Sequence, residues 1–284
     1  MVRKFILDTD WFTDCDDCVA LRFLIRNLDE EHHLLGVNVN ATTEHSYASL
    51  KAFMDYEGVF YPIALENPIH TPSAEGYNFA YQINMAKGST HTNAEGEGSL
   101  TFYKRMLEEN ENVEIISIGF LTSLAKTFQA YPHLVKKVKR LWIMGGKWDE
   151  QGGLEYNFCC NGNPEIINAS RFIVNELDVE KIFLGGELGA DVFTGSRLSK
   201  EDILGKSLKD YGCINGRQSW DPMLVLAAFY DKYEDAYDYE VGRASLGKRG
   251  ESYFQIDKNG RDRYALKGKN NAYYEQTIDE IIKE

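Results

Sequence analysis

The chain has 284 residues, of which 43% are hydrophobic and 26% are charged, a composition typical of a globular protein that can bury a sizeable core. Its formal net charge of −13 argues against a nucleic-acid or anionic-membrane partner, because both reward clustered lysine and arginine. The sequence contains neither a run of about 18 apolar residues nor a signal-peptide pattern. Together with an odd number of cysteines, five, this predicts a cytoplasmic protein with reduced thiols and no membrane span.

The first predicted strand runs into a strongly acidic stretch, KFILDTDWFTDCDDCVAL at residues 4–21. Five aspartates follow its short apolar run: Asp8, Asp10, Asp14, Asp16 and Asp17. Apolar residues then return at helical spacing, so the pattern predicts a buried strand, an acidic loop and a helix. Carboxylates this close repel one another unless a cation neutralises them, and hard oxygen ligands suit Ca²⁺ or Mg²⁺. The alternative is a solvated turn with an aspartate N-cap.

Two cysteines of this stretch, Cys15 and Cys18, have the CxxC spacing of zinc and redox sites. A zinc site needs two further ligands, and the sequence offers no matching pair. We interpret both cysteines as small residues packed inside the acidic loop, with a redox pair as the alternative.

The chain then alternates predicted strands with predicted helices. In the first half we predict a strand at 34–39, a helix at 46–57, a strand at 61–65 and a strand–loop–helix unit at 113–128. In the second half we predict a strand at 140–148, a loop entering a helix at 152–173, a strand with a glycine-rich segment at 181–195, an apolar helix within 216–230 and a final helix at 272–284. An Asn-Gly pair predicts a hairpin turn at 257–260.

Residues 66–98 form a long polar, glycine-rich connection without clear periodicity. Such connections are often functional or mobile. Aromatic and histidine side chains within it could close over a ligand: His70, Tyr77, Phe79, Tyr81 and His91. The alternative is a surface loop that does not contact a ligand.

The alternation of strands and helices predicts one α/β domain over residues 1–284, with a mostly parallel central sheet and helices on both faces. In such sheets ligands bind beyond the carboxyl ends of the strands. Four strand ends should therefore converge: the aspartate loop, Asn40, the turn at 119–122 and Asp221. No phosphate-binding glycine pattern follows a strand, so we expect no nucleotide cofactor.

These converging groups predict a metal site with hydrolytic chemistry. Aspartates of the first loop, together with Asp221, could supply the charge that a Ca²⁺ ion needs. A water held between that ion and a carboxylate would be a ready nucleophile. Three consecutive residues, Glu155, Tyr156 and Asn157, carry polar groups suited to hydrogen bonding with the hydroxyls of a sugar.

An ordered set of motifs resembles one known family. The opening DTDWFTDCDDCVAL is similar to a DxDxGxDxDDALAL form, and GFLTSLA, MGG, LEYNFCCNGNPEI, GGELGADVFTG and SWDPMLVL follow in family order. Over the region from Leu7 to the helix after Asp221, the chain resembles the inosine-uridine-preferring nucleoside hydrolases. That family cleaves the N-glycosidic bond of ribonucleosides, which implies the same activity, a nucleoside hydrolase fold and a homo-oligomer here.

The resemblance also implies a role for each matching residue. Asp10 would be a Ca²⁺ ligand and the general base, with Asp17, Asp221 and the Thr122 carbonyl as the other protein ligands. The implied substrate contacts are Asp16, Asn40, Glu155 and Asn157 on the ribose. Asp8 would organise the loop, and Asp14 would belong to the extra residues of the longer motif.

The sequence departs from the family pattern at three places. Trp11-Phe12 replaces Pro-Gly, Ser123 replaces an asparagine, and Trp220 replaces a histidine that in other members helps to protonate the leaving base. Tryptophan cannot act as an acid at neutral pH, but its ring can stack on a base. We therefore predict Trp220 as a substrate-stacking residue, with core packing as the alternative.

Two other functions fit part of the pattern. A nucleoside- or sugar-binding protein on the same fold would explain the loss of the histidine. FILDTDWFT also resembles the opening of haloacid-dehalogenase-type phosphatases, in which Asp8 would be the nucleophile and Mg²⁺ the metal. A calcium loop of EF-hand type fits poorly, because Phe12 and Thr13 occupy positions that want Asp or Asn and Gly.

Overall fold

The computed structural model describes residues 2–66 and 80–283. The strands are β1 Arg3–Thr9, β2 His32–Val39, β3 Ile63–Leu65, β4 Glu97–Gly98, β5 Val113–Ser117, β6 Val138–Met144, β7 Glu180–Leu184, β8 Phe193–Thr194, β9 Arg217–Gln218, β10 Tyr237–Leu246, β11 Ser252–Ile256 and β12 Asp262–Lys267. The α-helices are α1 Asp16–Asn27, α2 Ser46–Tyr56, α3 Ala80–Met85, α4 Ser99–Glu109, α5 Thr122–Ala130, α6 Tyr156–Cys159, α7 Pro164–Arg171, α8 Gly186–Gly189, α9 Ile203–Tyr211, α10 Trp220–Ala228 and α11 Asn271–Ile282.

Ten of these strands form one sheet, in the order β11-β10-β12-β7-β6-β5-β1-β2-β3-β4. Every neighbouring pair from β12 to β4 is parallel, and only β10 runs antiparallel to its neighbours. The prediction of a mostly parallel α/β sheet is confirmed. Its carboxyl ends therefore lie along one edge, where a ligand can be surrounded by several loops.

The sheet separates two buried cores. Successive side chains of a strand point to opposite faces, and on β1 Leu7 joins one core while Ile6 joins the other. Helices α1 and α10 cover the first face and contact each other closely, whereas α4 and α5 cover the second. In the described parts of the chain, no helix has the length and apolar character needed to cross a bilayer.

The predicted hairpin at residues 257–260 is wrong. Gly260 N–H does donate to the Asp257 carbonyl, at 2.7 Å, so a turn forms there. Its flanking strands do not pair with each other, because β11 and β12 lie on opposite sides of β10. Between them the chain crosses β10 at Gly242, so closely that a Cβ atom on Gly260 would lie 2.0 Å from the Gly242 carbonyl oxygen. Pairing with the long β10 thus replaces the local hairpin.

The connection after β3 is only partly described. His70, Tyr77 and Phe79 lie outside the described residues. Tyr81 is buried, and its hydroxyl donates to the carbonyls of Trp11 (2.8 Å) and Asp14 (2.9 Å), so it supports the aspartate loop. His91 is bound at the surface to Glu95. Neither residue lines the cavity described next.

Candidate active site

A cavity of about 570 Å³ opens at the carboxyl ends of the parallel strands. Its wall includes Ile118 just after β5, Met144 at the end of β6 and Gly186 just after β7. Residues predicted from the sequence also line it: Asp10, Asp16, Asp17, Glu155, Asn157, Trp220 and Asp221. The fold therefore brings together side chains that are separated by up to about three quarters of the chain, the span from Asp10 to Asp221.

The aspartate loop is held by side chains of its own motif. Trp11, which replaces the proline of the family pattern, is fully buried with a left-handed φ of 20°, and its indole N–H donates to Ser49 at 3.0 Å. A bulky residue at positive φ is an outlier of the kind that structures retain at functional sites. The Thr9 hydroxyl donates to Asp17, and the Thr13 hydroxyl donates to Asp10. Local contacts thus fix the direction of both carboxylates.

Three carboxylates of the cavity form a compact group. One oxygen each of Asp16, Asp17 and Asp221 lies within 4.8 Å of the others, and all three residues are buried. The Asp17 Oδ2 atom has no hydrogen-bond partner among the described residues. Asp10 stands outside this group, with Oδ2 accepting from Thr13. A buried, oxygen-only set with an unpartnered oxygen fits a hard divalent cation.

The electrostatics of the cavity are strongly acidic. Burial raises the pKa of Asp10 to about 7, although the Thr13 hydroxyl opposes the shift. Burial, together with repulsion from neighbouring carboxylates, raises the pKa values of Asp16, Asp17 and Asp221 well above their usual range. A cation bound among carboxylates placed this way would stabilise their charged form.

Two predicted site residues lie behind the cavity wall. Asn40 donates to Asp8 at 3.1 Å and accepts from the Phe120 N–H at 3.2 Å, so it ties the ends of β1 and β5 together. Thr122 is buried as the first residue of α5. The proposed ligation by the Thr122 carbonyl stays a prediction.

Asp8 is a structural residue in this arrangement. It is fully buried, outside the cavity wall, and accepts from Asn38 at 2.7 Å as well as from Asn40. Its position agrees with the predicted loop-organising role and argues against the phosphatase reading, which needs Asp8 to meet a substrate. Cys15 and Cys18 are also fully buried, as expected of small packed residues.

Glu155 and Asn157 are placed by the start of α6. Glu155 caps that helix, accepting the Asn157 N–H at 2.9 Å and the Gly146 N–H at 3.1 Å. Burial raises the pKa of Glu155 to about 7, opposed by these backbone donors. The Asn157 amide donates to the Met144 carbonyl at 3.2 Å. Both side chains are thus oriented before any substrate binds.

Trp220 is a half-buried wall residue that also packs against the core. Its indole N–H donates to the Gly186 carbonyl at 2.7 Å. The Arg217 guanidinium lies 5.1 Å from the ring centroid and forms an ion pair with Asp14. A Cβ atom at position 189 would lie 2.5 Å from Trp220 Cδ1, so Gly189 is needed for this close packing.

Three charged wall residues were missed in the sequence: Lys147, Glu187 and Arg217. Each did carry a local signal. Lys147 follows the glycine pair after β6, Glu187 lies inside the GGELG segment after β7, and Arg217 stands four residues before Asp221. Their roles depend on which loops meet in space, which spacing alone does not reveal.

The comparisons with known proteins agree with this architecture. A model of the family "Inosine-uridine preferring nucleoside hydrolase" matches residues 5–274. Solved structures with the same fold include an inosine-uridine preferring nucleoside hydrolase from Bacillus anthracis, with 17% identity, a TM-score of 0.73 and 99% coverage of both chains. A plant nucleoside hydrolase has 15% identity, a TM-score of 0.73 and 99% coverage of both chains.

A purine-preferring ribonucleoside hydrolase from Gardnerella vaginalis has 15% identity and a TM-score of 0.74, covering 99% of this chain and 98% of its own. No curated protein matches the sequence. Because the family model spans nearly the whole chain, the predicted family and enzyme class are confirmed. The chain belongs to the inosine-uridine preferring nucleoside hydrolases, a family of N-ribosyl hydrolases.

Proposed function

We propose that this protein hydrolyses the N-glycosidic bond of a ribonucleoside in a Ca²⁺-dependent reaction, with Asp10 as the general base. One observation carries the proposal: Asp10 shares a single cavity with the buried Asp16–Asp17–Asp221 group and with Trp220. A general base, a cation site and an aromatic face for the nucleobase are thus all available to one small ligand.

The residues of the chain divide the work of hydrolysis. Asp10 accepts a proton from water as the water oxygen attacks C1′ of the ribose. The C1′–N bond breaks, and its electron pair leaves with the base. Asp16, Glu155 and Asn157 hold the ribose hydroxyls, and stacking on Trp220 orients the base. The departing base takes up one proton and Asp10 returns its proton to solvent, so the products are free ribose and free base.

Calcium is the cation that we propose for the carboxylate group. Two members of the group, Asp17 and Asp221, would hold it together with Asp10 and the Thr122 carbonyl, while the third member, Asp16, would bind the ribose. The buried oxygen-only donor set and the unpartnered Asp17 oxygen support a hard cation. When bound, such a cation supplies Lewis acidity that lowers the pKa of water at the site. A cytoplasmic location, a role in nucleoside salvage and a homo-oligomeric state stay predictions.

A nucleoside panel tests this function. Purified protein with Ca²⁺ should release ribose from at least one purine, pyrimidine or nicotinamide riboside, and Asp10→Asn should abolish the release. Asp178→Asn is the matched control, because that side chain is 86% exposed and lies outside the cavity. Measurable nucleoside binding without any release across the panel would instead support a binding protein on the same fold.

A further inference from the structure

The short helix α8 places a carboxyl group in the cavity wall beside Trp220. The Trp220 indole N–H donates to Gly186, the first residue of α8, and Gly189 at its end packs directly against the same ring. Glu187 lies between these two contacts and lines the cavity. A base stacked on Trp220 would therefore have the Glu187 carboxyl as a neighbour.

The contacts of Glu187 leave one of its oxygens unused. Oε1 accepts from the Trp148 N–H at 3.3 Å. Oε2 is buried and has no hydrogen-bond partner within the described chain. The nearby charged groups are Lys147 and Asp149, on the loop after β6, and the Lys147 amine is bound to Glu150 at 2.8 Å. A buried oxygen without a partner is costly. Among the described side chains with such an oxygen, only Asp17 and Glu187 line the cavity, where a bound ligand can supply the missing partner.

We infer that Glu187 is a catalytic acid that donates a proton to the departing base, an inference that rests on the function proposed above. Trp220 occupies the position of the family's histidine and carries no acidic proton, so the cavity needs another donor. As the C1′–N bond breaks, its electron pair moves onto the base, and the Glu187 carboxyl proton is transferred to a ring nitrogen. Water bonds to C1′ and gives its proton to Asp10. Exchange with solvent restores both carboxyl groups.

The protonation state of Glu187 agrees with this role. Burial raises the pKa of this carboxyl above its usual range, whereas the Trp148 N–H and the Lys147 charge act in the opposite direction. An acid catalyst is most effective when its protonated form is populated near the working pH.

Two substrates with different leaving groups test the inference. A nucleoside base departs poorly without a proton, whereas 4-nitrophenolate departs from 4-nitrophenyl β-D-ribofuranoside as a stable anion. Glu187→Gln keeps the shape of the side chain and can still accept from Trp148. We expect kcat on the best nucleoside of the panel to fall by roughly 100-fold or more. The loss on the nitrophenyl riboside should be at least about ten times smaller.

The ratio of the two losses is the decisive quantity. A misfolded fraction lowers both rates equally and leaves the ratio unchanged, so the test holds even for an unstable variant. Glu201→Gln is the matched control, because its side chain is 89% exposed and lies outside the cavity wall. Equal losses on both substrates, or no loss on the nucleoside, would overturn the acid role. A wild-type protein that cleaves neither substrate would overturn the proposed function itself.

Discussion

The two ends of strand β1 carry opposite kinds of buried charge. At its start, Arg3 donates to both oxygens of Glu114, at 2.9 and 2.7 Å, and to Asp231 at 2.8 Å. Although burial alone would raise it, the pKa of Glu114 is lowered by Arg3. At the other end, burial and mutual repulsion raise the pKa values of Asp17 and Asp221.

This difference distinguishes charges that are paired within the fold from charges that are available for function. The Arg3 cluster is balanced within the chain, so it can stabilise the fold without any ligand. The carboxylate group at the far end has an excess of negative charge and an unpartnered oxygen, and under the proposed function a bound cation supplies the missing positive charge. Buried groups with strongly shifted pKa values in a cleft are candidates for function for this reason.

The largest effect is expected at the acidic end. Asp221→Asn should lower the rate of ribose release roughly 1000-fold, because a cation lost from the site contributes several kcal/mol to the transition state. In a chelating buffer the variant should unfold at the same temperature as the wild type or higher, since one of three adjacent buried carboxylates is removed. Enzyme assays with thermal unfolding measure both. A variant that loses stability and activity together would make Asp221 structural.

The start of β1, where Arg3 and Glu114 balance each other's charge, should lose stability rather than activity when it is mutated. Glu114→Gln leaves the buried Arg3 guanidinium without its main partner, so the free energy of unfolding should fall by about 3 kcal/mol in urea titrations. The activity of the folded fraction should be unchanged. Glu111→Gln is the control, because that side chain is 65% exposed in a surface pair and should cost less than about 1 kcal/mol. If Glu114→Gln lost activity but not stability, the Arg3 cluster would not have the structural role assigned to it, and the two ends of β1 would not differ in function.

A smaller effect is expected at the aromatic wall. Trp220→Ala should raise KM for the nucleoside about 10-fold, because ring stacking contributes up to about 1.5 kcal/mol, while Trp220→Phe should retain most of the affinity. Trp142→Phe is the matched control, since Trp142 is buried outside the cavity and bonds to Glu114. Steady-state kinetics and thermal unfolding separate these variants. A Trp220→Ala variant that loses only stability would assign this ring to the core.

The smallest effect is expected for the ion pair that balances charge inside the acidic end. Asp14 binds Arg217 next to Trp220, and both side chains are about one fifth exposed. Asp14→Asn should therefore change the free energy of unfolding by no more than about 1 kcal/mol. It should change KM only a few-fold, through the position of Trp220. A large loss of activity would show that Arg217 contacts the substrate directly.

The aspartates that follow β1 could be singled out from the sequence because their signal is local. A buried strand followed by clustered aspartates predicts a site at a sheet edge. Asp221 was expected at another strand end of this sheet, but it reaches the site from the first turn of α10, which follows β9 of the separate two-stranded sheet. The balanced end was not predicted. Arg3 and Glu114 meet only because β1 pairs with β5, and neither residue differs from an ordinary surface charge in the sequence.

Two other features required the tertiary structure. The local Asn-Gly signal predicted a hairpin, whereas pairing with the long strand β10 placed β11 and β12 on opposite sides of it. The family resemblance placed Asn40 near the ribose; in the structure its amide donates to Asp8 and accepts from the Phe120 N–H, and the ribose contact stays a prediction. In the hairpin, pairing with a distant strand overrode the local turn signal.

Calorimetric titration of Ca²⁺ into chelator-treated protein tests directly whether the carboxylate group at the acidic end binds a cation. We predict one site per chain, weakened at least about tenfold in Asp221→Asn and unchanged in Asp178→Asn, because only the first substitution removes a buried carboxylate of the group. No Ca²⁺ binding by the wild type, or equal binding by the wild type and Asp221→Asn, would contradict the assignment of the acidic end as a cation site.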